Sequence, residues 1–233
     1  MAIPHGYQAP TLVACLLIAG YLSYRSLTPP SPPPERPYHQ DVTGTLLTPS
    51  VINACRGITL VLWLYYGFLM LAYPERRGLI CPFPENRSAS IFSWSPYTTV
   101  CLGLIFVAAP IRLLAFAQLG NNFTFQLSRP SKLVRTGMYA YVQHPSYAGH
   151  FVVFLANIAL LSRPRGILGC WMPSVVVAWG ESCFPALFVL FACVFTLALR
   201  TRVREEEEML KKEFGEQWEA YHAKTKRFVP GLF

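Results

Sequence analysis

The sequence has few charged residues. Asp, Glu, Lys and Arg make up 14% of its 233 residues, whereas hydrophobic residues make up 53%. Average soluble domains carry roughly 25% charged residues, so the composition argues against a soluble globular domain and excludes disorder over most of the length. Basic residues outnumber acidic ones by 20 to 12. Beside long apolar runs, this excess favours an anionic membrane surface over nucleic acid as a partner.

The sequence also lacks CxxC motifs and nucleotide-binding motifs. The seven cysteines form no CxxC pair, and no GxGxxG motif is present, so a zinc site and a Rossmann domain are not predicted. Five of the cysteines lie within apolar runs, namely Cys15, Cys55, Cys101, Cys170 and Cys193. We therefore predict that they are small hydrophobic residues of membrane helices and that the chain has no disulfide framework.

Five apolar runs approach the roughly 20 residues that a helix needs to cross a bilayer. They are residues 11–27, 51–73, 96–119, 146–162 and 184–199. They predict an all-α, polytopic membrane helical bundle of about five transmembrane helices. The first run lacks a basic flank and an Ala-x-Ala site, so we expect an anchor helix rather than a signal peptide. Residues 166–183 could form a sixth crossing, an interfacial helix or an extension of the last span.

Two hydrophilic stretches flank these runs. The segment 28–48 begins with PPSPPPERP and predicts a stiff, extended linker. Residues 200–228 are charged but carry apolar side chains at helical spacing, which predicts an amphipathic helix on the membrane surface. The apolar positions are Val203, Leu210, Phe214, Trp218 and Tyr221. More of the basic residues fall on the side of this tail, which favours a cytoplasmic tail by the positive-inside rule.

Two glycosylation sequons add a prediction about topology. Asn86-Arg87-Ser88 lies in a loop that this orientation directs away from the cytoplasm, whereas Asn122-Phe123-Thr124 lies on the cytoplasmic side. We therefore predict that any glycan is carried by Asn86 and that Asn122 stays bare.

Two polar regions, residues 119–150 and 200–208, meet at one membrane face if the last two spans form a hairpin. Ionisable residues clustered at such a place are typical of a functional site. Arg202 and Glu206 lie four residues apart and therefore share one face of a helix. Taken singly, these signals have simpler explanations, because His144 before Pro145 could be a helix cap and the arginines could be membrane anchors.

The motifs in these regions resemble the isoprenylcysteine carboxyl methyltransferase family and are similar to related membrane phospholipid methyltransferases. The resemblance rests on LVRTGMYAYVQHPSYAG, on RVREEEEMLKKEFGEQWEAY and on a late proline, and it covers roughly residue 110 to the end. It implies methyl transfer from S-adenosyl-L-methionine by an integral membrane enzyme, in the endoplasmic reticulum, with its site facing the cytoplasm. We accordingly predict N-terminal transmembrane helices in residues 1–109 and a catalytic methyltransferase region in residues 110–233.

The same resemblance implies roles for particular residues. Arg202 is expected to hold the carboxylate of the substrate. The expected cofactor contacts are Lys132, Leu133, Val134, Tyr139, His144, Pro145, Ser146, Tyr147 and Glu206. The sequence departs from the family at two positions, with Gln143 where the family has arginine and Ser131 where it has histidine.

The acceptor implied is the carboxylate of a prenylated cysteine, on a protein C-terminus or on a small prenylcysteine-like lipid. A C-terminal carboxylate has a pKa of about 3.3–3.7, so it is ionised at neutral pH and needs alignment rather than a general base. The planar, permanently charged guanidinium of Arg202 suits that task. We expect membrane lipids as further partners, and neither nucleic acid nor metal. Methylation of a phospholipid amine, and a non-catalytic membrane scaffold, remain as alternatives.

Overall fold

The computed structural model describes residues 5–32, 48–72, 77–123 and 126–228, and its regular structure in these ranges is helical. The α-helices are α1 His5–Ser26, α2 Pro49–Ala72, α3 Arg77–Ile80, α4 Pro96–Leu119, α5 Pro145–Leu161, α6 Ser174–Phe214 and α7 Glu216–Lys224. Four short 3-10 helices are η1 Pro84–Asn86, η2 Gly120–Asn122, η3 Gly137–Ala140 and η4 Leu168–Trp171. A single parallel bridge, between Val142 and Lys226, is the one β feature of the described residues. The predicted all-α class is confirmed.

Within the described ranges, three helices are long and apolar enough to cross a membrane: α2, α4 with η2, and α6. They expose large aliphatic side chains, including Val61, Val107 and Leu197, whose surfaces suit contact with lipid rather than water. Helix α5 is apolar but has only 17 residues, which span about 25 Å at 1.5 Å per residue. The helical membrane bundle is confirmed, while the number of about five crossings stays a prediction.

Helix α6 has 41 residues, about 61 Å at 1.5 Å per residue, or about twice the thickness of a hydrocarbon core. Of the stretch 166–183, for which three alternatives were open, residues 174–183 form the first turns of α6 and so extend the last span. The residues before them, which include η4, form a loop. The charged end of α6 continues to Phe214. Gly215 then adopts a positive φ of 50°, a conformation that glycine tolerates best, and α7 follows. The amphipathic tail is therefore two helices where one was predicted.

Contacts within the chain divide it into two compact units, each built from several segments. The first unit comprises the described residues of Met1–Tyr24, Gly57–Val107 and Val152–Ala192. The second unit comprises those of Arg25–Arg56, Ala108–Phe151 and Cys193–Phe233. The long helices contribute to both units, so these units do not correspond to whole helices.

Partly buried polar contacts join the helices of the first unit. Trp63 donates its indole N–H to Asn157 Oδ1 at 2.8 Å, and Asn157 Nδ2 donates to Ser23 Oγ at 3.0 Å, so one amide links α2, α5 and α1. Gly20 lets the Trp63 side chain approach closely, because a Cβ atom at Gly20 would lie 2.7 Å from Trp63 Cβ. Hydrogen bonds of this kind stabilise helix association where no water competes for the polar groups.

A disulfide joins Cys81 to Cys170, with their Cα atoms 4.5 Å apart. The prediction of no disulfide framework did not anticipate this bond, and the prediction that Cys170 is a residue of a membrane helix is wrong. It lies in η4, within the loop before α6, and Cys81 follows α3. The two cysteines are 89 residues apart in sequence, so no local spacing motif predicts that they pair. Among the described residues, Cys15, Cys55, Cys101, Cys183 and Cys193 are free thiols.

The structure counts against a glycan on Asn86. Its side chain is buried, and its Nδ2, the atom that would carry a sugar, donates to the carbonyls of Gly169 at 3.2 Å and Met172 at 2.8 Å. The sequon is thus part of the packing between the two loops that the disulfide joins. The second sequon ends at Thr124, which lies outside the described residues, so its prediction stays untested.

Most of the predicted proline-rich linker, residues 33–47, also lies outside the described residues. At its beginning, Ser31 is buried and donates its hydroxyl to the carbonyl of Gly120 at 3.3 Å. This end of the segment therefore packs in the second unit.

Candidate functional site

The segment between α4 and α5 is shaped by a glycine. Gly137 has a φ of +63°, and a Cβ atom there would lie 2.6 Å from Gln118 Oε1. That oxygen accepts a hydrogen bond from the amide of Met138 at 2.9 Å. The Gly-x-Tyr motif thus requires glycine for both conformation and space, and the resulting turn of η3 directs Tyr139 into the interior, where it is buried.

Helix α7 packs against this turn through a tyrosine. Tyr221 donates its hydroxyl to the carbonyl of Tyr139 at 2.7 Å. Burial raises the pKa of Tyr221 to about 12, so the hydroxyl keeps its proton at physiological pH and remains a donor. Trp218 lies one turn earlier on α7 and is also buried. The aromatic spacing seen in the sequence therefore marks the face of α7 that packs inward.

The chain after α7 pairs with the histidine motif. The amide of Gln143 donates to the carbonyl of Lys226 at 2.7 Å, and the amide of His144 donates to the carbonyl of Arg227 at 2.8 Å. The side chain of Gln143 adds to this pairing, because its Nε2 donates to Thr225 Oγ1 at 2.9 Å and its Oε1 lies 3.0 Å from His222 Nδ1. The departure at Gln143 thus has a structural role in holding the last segment against the motif.

One cleft of the second unit brings most of the predicted site residues together. Its lining includes Lys132, Leu133, Val134, Tyr139, His144, Ser146, Tyr147, Arg202 and Glu206. Pro145 is buried at the start of α5 but does not line the cleft. Sequence reasoning missed further lining residues, which are Leu119, Asn122, Phe123, Leu127, Ser128, Pro130, Gln143, Met209, Leu210, Trp218 and Tyr221. Several of these are apolar or aromatic. Their positions in or beside the motifs could have suggested them, since Gln143, Met209, Leu210, Trp218 and Tyr221 lie within the motifs themselves.

A tyrosine stands between the two charged residues of α6. Arg202 is buried and donates its Nε to the hydroxyl oxygen of Tyr147 at 3.3 Å. That hydroxyl in turn donates to Glu206 Oε2 at 2.7 Å. Arg202 and Glu206 share one face of the helix, as their spacing predicts, but the phenol from α5 links them. The cleft therefore presents a cation and an anion at its wall.

His144 contacts a glutamate that sequence reasoning did not select. Its Nε2 lies 3.3 Å from Glu207 Oε1. The Nε and Nη2 atoms of Arg227 donate to the two oxygens of the same carboxylate, each at 2.7 Å. The run Glu205–Glu208 offers four acidic side chains, and the register that turns Glu206 to Tyr147 and Glu207 to His144 is set only when α5 and α6 pack.

A buried arginine supports the first turn of α5. Arg112 donates its Nη1 to the carbonyl and to the hydroxyl of Ser146, each at 3.0 Å, and its Nε to the carbonyl of Ser26 at 2.7 Å. Its guanidinium also lies 4.6 Å from the ring centroid of Phe116. The charge inside the third apolar run thus fixes Ser146 at the edge of the cleft.

The second departure from the family motif also has a defined environment. The amide and the hydroxyl of Ser131 both donate to Asn122 Oδ1 at 3.0 Å. Asn122 lines the cleft, so this pair holds the chain before Lys132 close to η2. Among the described residues, no group of His, Cys, Asp or Glu is arranged to hold a metal ion.

Comparison with known proteins finds one similar family. The model of the isoprenylcysteine carboxyl methyltransferase family matches residues 101–181. The resemblance to that family is confirmed. The matched residues include the Gly-x-Tyr and His-Pro motifs, whereas Arg202 and Glu206 lie beyond them.

Several similar curated proteins are named protein-S-isoprenylcysteine O-methyltransferase. A protein-S-isoprenylcysteine O-methyltransferase of Schizosaccharomyces pombe is 29% identical over 143 residues, which cover 60% of this chain and 52% of that protein. Proteins of the same name from Dictyostelium discoideum and Saccharomyces cerevisiae are 25% and 26% identical, over 64% of this chain and 54% and 55% of their own lengths. The chain thus spans about half the length of these relatives.

Proposed function

We propose that this chain is an S-adenosyl-L-methionine-dependent methyltransferase that methyl-esterifies the C-terminal carboxylate of a prenylated cysteine, on a protein or on a small lipidic substrate. The observation that carries the proposal is a pair of opposite charges in one cleft, the buried Arg202 and the half-buried Glu206, with the hydroxyl of Tyr147 between them. The names of the similar proteins support the same reaction.

The side chains of the cleft fit the proposed cofactor. S-adenosyl-L-methionine brings an activated methyl group on a positively charged sulfonium, together with an amino group and a flat adenine ring. Glu206 offers an anion for the positive groups, and Trp218 and Met209 offer apolar surface for the ring. Lys132, which also lines the cleft, supplies a cation for the carboxylate of the cofactor.

In this proposal, Arg202 aligns the carboxylate of the acceptor. The substrate carboxylate is ionised at neutral pH, so no residue has to remove a proton. The guanidinium can hold both carboxylate oxygens through two parallel hydrogen bonds, and alignment of reacting groups supplies up to roughly 7–11 kcal/mol of a barrier. Tyr147 accepts a hydrogen bond from Arg202 Nε and so fixes the plane of the guanidinium before the substrate arrives.

We also propose that the site faces the cytoplasm from the endoplasmic reticulum. Cys81 lies between α2 and α4 and Cys170 between α5 and α6, so alternating crossings assign both to one membrane face. Disulfides persist in oxidising compartments, which supports a lumenal assignment for that face. The same alternation assigns the segment between α4 and α5 to the other face.

The test uses the full chain in lipid bilayers. Calorimetry measures the binding of S-adenosyl-L-methionine, and transfer of labelled methyl is then followed to a prenylcysteine, a prenylated peptide and phosphatidylethanolamine. The matched control is the same prenylcysteine with its carboxylate converted to an amide. We expect base-labile methyl ester on the first two acceptors and none on the amide. Methylation of the phospholipid alone, or no cofactor binding, would overturn the proposal.

A further inference from the structure

Three side chains from separate parts of the second unit form a chain of contacts behind the cleft wall. Arg227, beyond α7, contacts Glu207 on α6 with two hydrogen bonds of 2.7 Å, and Glu207 contacts His144, which precedes α5, at 3.3 Å. The side chain of His144 is 2% exposed and that of Glu207 is 12% exposed, whereas that of Arg227 is half exposed. Only His144 of the three lines the cleft.

The carboxylate determines which nitrogen of His144 carries hydrogen. An ionised carboxylate can only accept hydrogen bonds, so the contact with Glu207 Oε1 requires hydrogen on Nε2. With Nε2 committed to Glu207, Nδ1 is the ring nitrogen that remains for a ligand in the cleft. The partner of one ring nitrogen thereby sets the role of the other.

Arg227 makes this arrangement possible in two ways. A nearly buried carboxylate is costly unless a cation and hydrogen bonds compensate for the lost water, and the fork of Arg227 supplies both. In addition, the carbonyl of Arg227 accepts a hydrogen bond from the amide of His144 at 2.8 Å. One residue therefore contacts both the main chain of His144 and the group that orients its ring.

We propose that Arg227 is a positioning residue of the site: through Glu207 it holds the imidazole of His144 in one tautomer and one orientation at the wall of the cleft. This inference rests on the proposed function, because His144 is assigned to the cofactor there. Beyond that function, it assigns the segment after α7, which contains Arg227, to the site.

The experiment compares Arg227→Met and Arg227→Lys with Lys211→Met as a control. Lys211 also joins α6 to the C-terminal region, through an exposed ion pair with Glu219 at 2.9 Å, but it does not line the cleft. The full chain, labelled with ¹⁵N-histidine, is placed in lipid nanodiscs. Nitrogen chemical shifts report the tautomer of His144, and calorimetry reports the affinity for S-adenosyl-L-methionine.

We expect the wild type and Lys211→Met to show one tautomer, with hydrogen on Nε2. Arg227→Met should lose that single state and bind the cofactor about tenfold more weakly, as expected for the loss of a charge-assisted hydrogen bond. Arg227→Lys should lie between them, because lysine lacks the fork. If Arg227→Met does not fold, Glu207→Gln gives the same readout, since its amide can also donate and no longer requires hydrogen on Nε2.

An unchanged tautomer in Arg227→Met, or an altered tautomer with unchanged cofactor affinity, would overturn the inference. An equal loss of affinity in Arg227→Met and Lys211→Met would do the same, because it would indicate a general structural effect. The proposed function fails separately, if the wild type binds the cofactor but methylates no prenylcysteine. In that case the tautomer and the affinity still decide the role of Arg227.

Discussion

The two units of the chain each contain an arginine and a glutamate that are close in space, but the pairs are arranged differently. In the first unit, Arg163 contacts Glu181 directly, with hydrogen bonds of 3.3 and 3.4 Å, and the amide of Arg165 donates to the same carboxylate at 3.0 Å. In the second unit, the hydroxyl of Tyr147 stands between Arg202 and Glu206. The members of the first pair are in direct contact, whereas a third side chain links the two members of the second pair.

This difference bears on the capacity of each pair to bind a ligand. A carboxylate that already accepts hydrogen bonds from a guanidinium and a main-chain amide has little capacity for a ligand. In the second pair, Glu206 accepts a hydrogen bond from the hydroxyl of Tyr147, and both Glu206 and Arg202 line the cleft. Ionisable residues that face a cavity of a membrane protein are typical of a functional site, so the position of the second pair at the cleft is more informative than its charges alone.

The largest effect is expected for Arg202→Lys. Lysine keeps the charge but cannot align both carboxylate oxygens, so we expect kcat/KM for a prenylcysteine to fall about 100-fold, which corresponds to about 2.7 kcal/mol of transition-state stabilisation. Cofactor affinity should change little. The matched control is Arg163→Lys in the first unit, which should leave methyl transfer unchanged. Wild-type turnover in Arg202→Lys would remove Arg202 from the acceptor carboxylate and favour a phospholipid amine.

Glu206→Gln should have the second largest effect and act on the other ligand. The amide keeps the shape and removes the charge, so we expect the affinity for S-adenosyl-L-methionine to fall about tenfold through loss of a charged hydrogen bond. Glu181→Gln is the control, and calorimetry is the measurement. If Glu206→Gln impairs only acceptor turnover, the assignment of the two charges to two ligands is wrong.

The sequence predicted these two residues but not the contacts that separate them. Helical spacing places Arg202 and Glu206 on one face, and this holds because α6 is regular through both. The intervening Tyr147 belongs to another helix, and the contact depends on how α5 and α6 pack. Glu207 and Arg227 were missed for the same reason. The cysteine pair was missed because composition describes an average environment, whereas Cys81 and Cys170 are brought together by the fold of two loops.

The disulfide should matter for stability and not for binding. Loss of a native disulfide costs about 2–5 kcal/mol in small domains, so Cys81→Ser combined with Cys170→Ser should lower the temperature of unfolding in nanodiscs. Cofactor affinity below that temperature should stay unchanged, because the disulfide lies in the first unit and the cleft in the second. Cys193→Ser, at an exposed free thiol, is the control. A weakened affinity in the double variant would show that the two units are coupled.

The smallest effect concerns the sequon at Asn86. Both hydrogens of its Nδ2 are donated to carbonyls of the neighbouring loop, and a buried donor without a partner costs about 1–3 kcal/mol, so a glycan there is incompatible with the packing. We expect the protein expressed in eukaryotic cells to run unchanged on a gel after endoglycosidase treatment. Ser88→Ala abolishes the sequon and retains Asn86, so it should neither change the mobility nor lower methyl transfer. A mobility shift that Ser88→Ala abolishes would show that Asn86 is accessible. The contacts of Asn86 with Gly169 and Met172 would then be wrong.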